Sequence, residues 1–325
     1  MRLLECVVDI SQDEERLDSY LALRFDYLSR NRWQKLITDE KLTLNGKIVR
    51  RPATRIKKGD TIVFEGNIRQ EPDVDSNIDI VYQDDQLLVV NKSGDLPVHP
   101  AGRYFNNTAL RIMESRLNRK LYPVNRIDRE TSGILIFALN SSVACLLAEE
   151  WNNCHKSYIA LVRGEFIEDR SCNMPLGLAN PSCCTDVDKV LKKRAAYEGA
   201  PEKAFTSFSR ITGTKDFSLV RAVLGTGRQH QIRAHLEYMG YPLVGDKIYG
   251  GDERIYLDFI KNGITNQTIE KVGHRRCMLH AYKAEIVTKK GKTAFIVEPP
   301  DDFILCAKNL AGIDCMVDIK KILNS

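Results

Sequence analysis

An aspartate set between two arginines is the first residue here whose surroundings suggest chemistry. The run Asn125-Arg126-Ile127-Asp128-Arg129-Glu130-Thr131-Ser132-Gly133 leads straight into the apolar stretch Ile134-Leu135-Ile136-Phe137. That stretch reads as a buried strand, so Asp128 is placed at a strand mouth. Opposite charges within a few Å favour the ionised carboxyl, and a carboxylate held there can attack an electrophilic carbon or take a proton. Thr131 and Ser132 add hydroxyls, and Gly133 allows a tight turn. A second stretch, Gly225-Thr226-Gly227-Arg228-Gln229-His230-Gln231-Ile232-Arg233-Ala234-His235-Leu236, is a glycine turn entering a helix expected over Gln229 to Met239. Helix N-termini and arginines are where anions bind. Gln229 and Arg233 lie four apart and share a face of that helix, which would aim a guanidinium at a carboxylate elsewhere. Taken singly, each stretch has a plain alternative: a surface ion-pair cluster for the first, a solvated helix start for the second. His230 and His235 are five apart, a poor metal pair on a helix, and with His280 they are expected to be structural.

The elements that must hold these residues follow from periodicity. Arg16 to Phe25 carries Leu17, Tyr20, Leu21 and Phe25 at helical spacing, and Ser29 caps a second helix with Trp33, Leu36 and Ile37 inward. Leu42 to Leu44 and Lys47 to Val49 flank Asn45-Gly46, a hairpin signal, and Lys58-Gly59-Asp60 turns into the strand Thr61 to Phe64. Between Arg30 and Lys58 ten basic residues face two acidic ones, with Arg30, Arg32, Lys35, Lys47, Arg50 and Arg51 on the second helix and the hairpin. Such a one-sided unit reads as a phosphate-binding surface, against the alternative of a solvated basic face. Residues 67–77 are polar, contain Pro72 and follow neither period, so they read as a linker. From Ile78 onward strands predominate: Ile78 to Tyr82, Leu87 to Asn91, Gly133 to Leu139, Ser157 to Val162, Phe205 to Ile211, Phe217 to Val223, Met278 to Ile286 and Thr293 to Val297. Helices are few, notably Ser142 to Trp151. The expected fold class is therefore α+β, a mixed and mostly antiparallel sheet domain over 78–325 following a small helix-helix-hairpin domain over 1–66.

Composition narrows the class. The chain has 325 residues and 48 Lys and Arg against 43 Asp and Glu, a net charge of +5. That balance excludes a disordered acidic tail, a collagen-like repeat and a disulfide-stapled miniprotein. The longest uncharged stretch, Thr131 to Ala148, is interrupted by Gly133, Asn140 and serines, so no membrane span is expected. Acidic residues follow at once on Met1, which suits neither a secretory nor a transit peptide, and a cytoplasmic location is expected. Nine cysteines with no C-x-x-C pair are expected as free thiols. A zinc cluster of Cys172, Cys183 and Cys184 with Cys154-His155 fits no common ligand spacing, so no metal is expected.

Jointly, the two chemical stretches resemble the signatures of one family, the RluA-type pseudouridine synthases, which convert uridine in structured RNA into its carbon-linked isomer. Arg126-Ile127-Asp128-Arg129-Glu130-Thr131-Ser132-Gly133 is similar to R-L-D-x-x-T-S-G, and Gly227-Arg228-Gln229-His230-Gln231-Ile232-Arg233 to G-R-x-H-Q-I-R. Lesser matches keep the family order: Leu88 to Lys92, Leu96-Pro97-Val98-His99-Pro100, Lys156-Ser157-Tyr158, Gly245-Asp246-Lys247-Ile248-Tyr249-Gly250 and Leu279-His280-Ala281. Arg16-Leu17-Asp18, Ser29-Arg30, Leu44-Asn45-Gly46-Lys47 and Lys58-Gly59-Asp60 resemble an S4-type RNA-binding domain. The chain departs from the family at Asn125, Ile127 and Ser93, where histidine, leucine and proline are usual.

The resemblance implies roles. Asp128 would be the essential carboxylate, acting on the ribose anomeric carbon, on the neighbouring sugar proton or on the base. Arg233 would pair with it, with Arg228 the lesser candidate. Tyr158 would lie against the flipped base, whose extrusion costs a few kcal/mol. Arg126 would fill the vacated space, Arg129 and Arg228 would contact substrate, and Ile232 and Leu279 would floor the site and exclude water. No cofactor is implied, since nothing is oxidised or phosphorylated, and the sequence carries no G-x-x-x-x-G-K-[ST], G-x-G-x-x-G or H-E-x-x-H. The expected partner is RNA, with large-subunit ribosomal RNA favoured and transfer RNA possible, bound by a monomer. Two other classes compete: an inactive RNA-binding or ribosome-assembly factor on the same scaffold, and an N-glycoside hydrolase that would release free uracil.

Overall fold

The computed structural model describes residues 2–8, 14–25, 28–66, 71–101, 104, 106–151, 154–179, 193–252, 254–288 and 291–323. Cys183 and Cys184 lie outside them; the seven described cysteines are free thiols. Packing divides the chain into two units, Met1–Ser76 with His99–Asn118, and Asn77–Val98 with Arg119–Ser325. This differs from a single cut between residues 66 and 78, and Glu71 supplies a physical reason. Its carboxylate accepts from the backbone N–H of Asn106 (2.9 Å) and Asn107 (2.8 Å), and Asn107 Nδ2 donates to the Pro72 carbonyl at 2.8 Å. The stretch after residue 70 has no regular element, yet it is clasped to the segment that enters a helix at Ala109.

The first unit contains strands β1 (Arg2–Val7), β2 (Glu15–Arg16), β3 (Leu42–Leu44), β4 (Lys47–Ile48), β5 (Arg55–Ile56) and β6 (Thr61–Gly66), with helices α1 (Leu17–Arg24), α2 (Arg30–Thr38) and α3 (Ala109–Leu117). One sheet has the order β1-β6-β3-β4. Helix α2 starts where Ser29 Oγ accepts from the Arg32 N–H at 3.3 Å. Its Trp33 is fully buried, donates its indole N–H to the Phe25 carbonyl at 3.1 Å and meets Phe64 edge-on at 5.5 Å. Leu17, Leu21, Ile37, Leu42, Ile56 and Ile62 complete this core, in which Trp33→Ala would cost about 3–5 kcal/mol. The β3–β4 hairpin turns through Asn45 and Gly46, both left-handed at φ 51° and 76°, which matches the twist of the flanking strands.

The second unit is built on a ten-stranded sheet. In chain order its elements are β7 (Ile78–Gln83), β8 (Leu87–Lys92), β9 (Tyr122–Pro123), β10 (Ser132–Ala138), α4 (Ser141–Glu150), β11 (His155–Arg163), β12 (Arg170–Cys172), the small pair β13 (Leu176–Leu178) and β14 (Arg194–Ala196), β15 (Thr206–Gly213), β16 (Phe217–Leu224), α5 (Gln231–Tyr238), α6 (Arg254–Asn262), α7 (Asn266–Val272), β17 (Leu279–Thr288), β18 (Gly291–Ile296), α8 (Asp301–Ala311) and α9 (Met316–Leu323). The main order is β12-β15-β16-β11-β17-β10-β8-β7, with β18 on β17 and β9 on β10. Every described pairing is antiparallel except β10 with β17, which run parallel at Ser132↔His280 and Gly133↔Ala281. Strand β10 is buried at all seven positions, as its continuous apolar run requires.

Two local features mark the central strands of this sheet. At Gly133, φ is 111° and an added Cβ would stand 2.2 Å from the Ala281 carbonyl oxygen, so only glycine fits the parallel contact. The pairing of β11 with β17 slips between Ser157 and Tyr158, a bulge of the kind that re-aims a side chain. The helix expected from Gln229 begins later, at Gln231, because His230 is left-handed at φ 56° and an α-helix cannot run through it. Gln229 and Arg233 therefore do not share a helical face. Among the described residues no helix is long and apolar enough to cross a membrane.

Candidate active site

Asp128 lies in the loop that enters β10, and that loop is held from several sides. The Thr131 N–H donates to the Asp128 carbonyl at 3.1 Å, closing a turn. Lys92 Nζ donates to the Arg129 carbonyl at 3.1 Å, and Arg276 Nη1 to the Glu130 carbonyl at 3.2 Å. The Glu130 carboxylate takes Lys247 Nζ at 2.8 Å and the Cys277 N–H at 3.0 Å. Asn125 replaces a missing strand neighbour: its Oδ1 accepts from the Ile136 N–H at 2.8 Å and its Nδ2 donates to the Ile134 carbonyl at 3.2 Å. The residue that departs from the family pattern thus pins the loop to β10. Ile127 is buried, and the Ser93 N–H donates to the Asn77 carbonyl at 3.1 Å.

The carboxylate is asymmetric. Asp128 Oδ2 accepts from Arg233 Nη1 at 2.8 Å, whereas the nearest cationic candidate to Oδ1, His230 Nε2, stands 3.8 Å away. Arg233 is itself fixed, because its Nε and Nη2 donate to Asp246 at 2.7 and 2.8 Å and its guanidinium lies 4.9 Å over the Tyr249 ring. Asp246 in turn accepts from the backbone N–H groups of Ile248 (2.9 Å) and Tyr249 (3.1 Å). Burial pushes the Asp128 carboxyl up, but His230 in its protonated form, and Arg233 by charge and hydrogen bond, outweigh it and hold it below the usual carboxylate range. The site therefore presents an ionised carboxylate with one oxygen engaged and the other open, its side chain 28% exposed.

Other groups predicted for the site are distributed unevenly. Tyr158, beside the bulge, is buried, and burial followed by the Asp128 charge pushes its phenol well up, so it stays protonated. Ile232 and Leu279 are both 4% exposed and apolar. Arg126 points to solvent. Arg129 pairs with Asp95 at 3.0 Å and Glu130 at 3.2 Å and lies 5.5 Å over the Phe259 ring, so its charge is directed away from Asp128. Arg228 is exposed, and its Nε donates to the Lys203 carbonyl at 3.1 Å. In the first unit Arg32, Lys35, Lys47 and Arg51 are exposed. Arg30 pairs with the buried Asp18 at 3.0 Å and Arg50 with Glu40 at 2.7 Å, so these two charges are partly spent inside the protein.

His235 and His280 are structural, as expected. His235 bonds Thr206 Oγ1 and the Met174 carbonyl, and His280 bonds Ser132 Oγ and the Val297 carbonyl. His230 bonds as well, its Nδ1 3.0 Å from the Tyr249 hydroxyl, and its Nε2 stands 3.8 Å from Asp128 Oδ1. Sequence reasoning also gave no role to Asp246 and Tyr249. Their signal was the motif Gly245-Asp246-Lys247-Ile248-Tyr249-Gly250, whose spacing does not say which arginine the carboxylate meets. Among the described residues no three His, Cys, Asp or Glu side chains gather as a metal site would need. A cavity of about 750 Å³, lined by His155, Phe205, Ser207, Val223, Glu285 and Lys292 among others, contains none of the Asp128 partners. Ser157, Val223 and Ser207 pair across strands one position out of step with Tyr158, which puts that cavity on the opposite face of the sheet.

Comparison with known proteins gives the family and the fold. Residues 86–238 match the model of the RNA pseudouridylate synthase family and residues 15–62 that of the S4 domain. The chain is 31% identical to the ribosomal large subunit pseudouridine synthase D of Vibrio vulnificus over 75% of its own length and 76% of that protein's. It is 35% identical to the mitochondrial tRNA pseudouridine(32) synthase of Saccharomyces cerevisiae over 62% of its own length, but spans only 43% of that protein. The solved structure of human RNA pseudouridylate synthase domain containing 1 superposes with a TM-score of 0.58 at 22% identity, covering 79% of this chain and 98% of that one, and shares the fold. With its mostly antiparallel sheet, its loop-borne aspartate and an S4 domain ahead of them, the chain belongs to the RluA-type family of RNA pseudouridine synthases, which are isomerases.

Proposed function

We propose that this protein isomerises specific uridines in structured RNA, acting in the cytoplasm as a monomer and using Asp128 as the essential carboxylate. The observation that carries the reading is the asymmetry of Asp128: Arg233, locked by Asp246, holds one oxygen and leaves the other open beside Tyr158. The glycosidic bond breaks, the freed uracil rotates, and the ribose rebonds through a ring carbon. An ionised, oriented carboxylate serves whether it attacks the anomeric carbon, takes the neighbouring sugar proton or adds to the base. Ile232 and Leu279 form the apolar floor that keeps the detached base from water. Arg126, exposed at the loop, fills the space the flipped nucleotide leaves.

Large-subunit ribosomal RNA is the favoured substrate, on the strength of the Vibrio relative's name and the S4 domain; the yeast relative's name keeps transfer RNA in view. Arg32, Lys35, Lys47 and Arg51 supply the basic surface that binds phosphates. The test is a map of carbodiimide-blocked uridines in total RNA from cells with and without the gene, rescued by the parent or by Asp128→Asn. Loss of a few sites, restored by the parent alone, is expected. An unchanged map from a protein that still carries RNA would favour the inactive binding factor, and free uracil among the products the hydrolase. Removing residues 1–66 should weaken RNA binding and flatten its salt dependence; an unchanged slope would overturn the phosphate-binding role of this basic surface.

A further inference from the structure

His230 occupies a backbone conformation that asks for an explanation. It is left-handed, it precedes α5 without capping it through its side chain, and glycine or asparagine would relieve the strain. What the conformation achieves is placement. The imidazole packs edge-on to the Tyr249 ring at 5.8 Å, its Nδ1 lies 3.0 Å from the Tyr249 hydroxyl, and its Nε2 faces Asp128 Oδ1 at 3.8 Å. Burial keeps the Tyr249 phenol protonated, and its O–H is taken as the donor to Nδ1. Nε2 therefore carries the ring proton and points it toward the open oxygen of the carboxylate.

At 3.8 Å that proton is too far from Oδ1 for a hydrogen bond. The substrate is the group that can close the gap. Burial and Arg233 favour the neutral ring, against Asp128 and Asp246, and Arg194 adds to the first side. When the bond between ribose C1′ and uracil N1 breaks, its electron pair stays on the base, and the negative charge is shared between N1 and the two ring carbonyl oxygens. Rebonding at C5 expels the C5 proton, and N1 takes one up, so the overall change is an isomerisation. Between those steps the detached base is an anion. Asp128 repels it, and three Arg233 donors are already committed, two to Asp246 and one to Asp128.

Resting on the synthase reading above, we infer that His230 is a catalytic residue whose Nε2–H donates a hydrogen bond to a carbonyl oxygen of the detached uracil, holding the base beside the ribose until it rebonds. Tyr249 is the positioning residue that sets its tautomer. No proton needs to pass from the imidazole, because the bond is made to charge that appears only after cleavage.

His230→Gly tests this with the fold protected, since glycine suits the left-handed backbone. Single-turnover tritium release would be measured with 5-tritiated total RNA from cells lacking the gene, alongside half-saturation and thermal midpoint. The expected result is a rate lower by about 100-fold, half-saturation nearly unchanged and a midpoint no lower than the parent's. A rate within about threefold of the parent, or a loss confined to half-saturation, overturns the inference. Should that variant not fold, Tyr249→Phe carries the test: an about tenfold slower rate is expected, and an unchanged one overturns the inference. Asp128→Asn run in parallel separates the levels. If the parent itself releases no tritium, the synthase reading fails; if Asp128→Asn turns over, the role of Asp128 fails; if it is dead while His230→Gly is active, only the role of His230 fails.

Discussion

The chain contains two nearly identical triplets, Arg16-Leu17-Asp18 in the first unit and Arg126-Ile127-Asp128 in the second, and they do opposite things. Asp18 is closed: its side chain is fully buried, Arg16 clasps both oxygens at 2.9 and 3.0 Å, and Arg30 (3.0 Å) and Gln34 (2.7 Å) take Oδ2 as well. It ties the start of α1 to α2. Asp128 does not use the arginine two residues before it, which faces solvent; its partner, Arg233, comes from a distant helix and takes one oxygen only. A carboxylate whose oxygens are all engaged is a structural cross-link, and one with an oxygen left open has reactive capacity.

The contrast is sharpest in substitutions that keep shape and remove charge. Asp128→Asn should abolish isomerisation, by about 10⁴-fold or more in single-turnover tritium release, while the thermal midpoint stays or rises; retained turnover would break the assignment. Asp246→Asn should slow turnover by about 100-fold, because Arg233 loses its two-point anchor and tilts away from Asp128, with binding of RNA little altered in a filter assay. Asp18→Asn should do the reverse, costing about 2 kcal/mol of stability in urea melts and leaving the rate nearly intact wherever the protein is folded. The Arg16, Gln34 and Arg30 hydrogen bonds hold the Asp18 carboxyl well below its ordinary value of 3.8. Its contribution is thus present above that value and lost as the pH falls, so parent and Asp18→Asn should converge in acid.

A smaller effect concerns the loop's support. Burial, with Arg276 adding to it, pushes the Lys92 ammonium from 10.5 down to about 7. Between those values the unfolded chain holds a proton the folded one lacks, so Lys92 makes stability rise with pH there. Lys92→Met should flatten that rise in urea midpoints measured from pH 7 to 10, and an unaltered slope would count against a neutral lysine beneath the Arg129 carbonyl.

Strands β3, β4 and β6 and the longer strands of the second unit were legible because their apolar residues alternate or run continuously, as in β10, and the Asn45-Gly46 turn named its own hairpin; β1 and the short strands β2, β5, β9, β12, β13 and β14 were not read. Asp128 and Arg233 stood out because charged residues interrupt those patterns. What could not be read was tertiary. Asp246 and Arg233 meet only when α5 folds back on the loop after it, and the left-handed turn at His230, which shortens α5 and delivers the imidazole, has no periodic trace. The resemblance assigns Arg129 and Arg228 to substrate, and it carries no sign of their protein partners: Arg129 pairs with Asp95 and Glu130, and Arg228 Nε donates to the Lys203 carbonyl. The segment 99–118 was assigned by adjacency to the larger domain, and the Glu71 contacts that draw it to the smaller unit span more than thirty positions.

That Glu71 clasp has a practical meaning for anyone dividing the chain. A truncation removing residues 1–66 leaves Glu71 in place to cap the N–H groups of Asn106 and Asn107. One removing residues 1–77 uncaps them and frees the approach to α3, although the sequence marks the eleven further residues it discards, 67–77, as spacer. The shorter cut preserves a local fold the longer one dismantles, so the two products should not be treated as the same catalytic fragment.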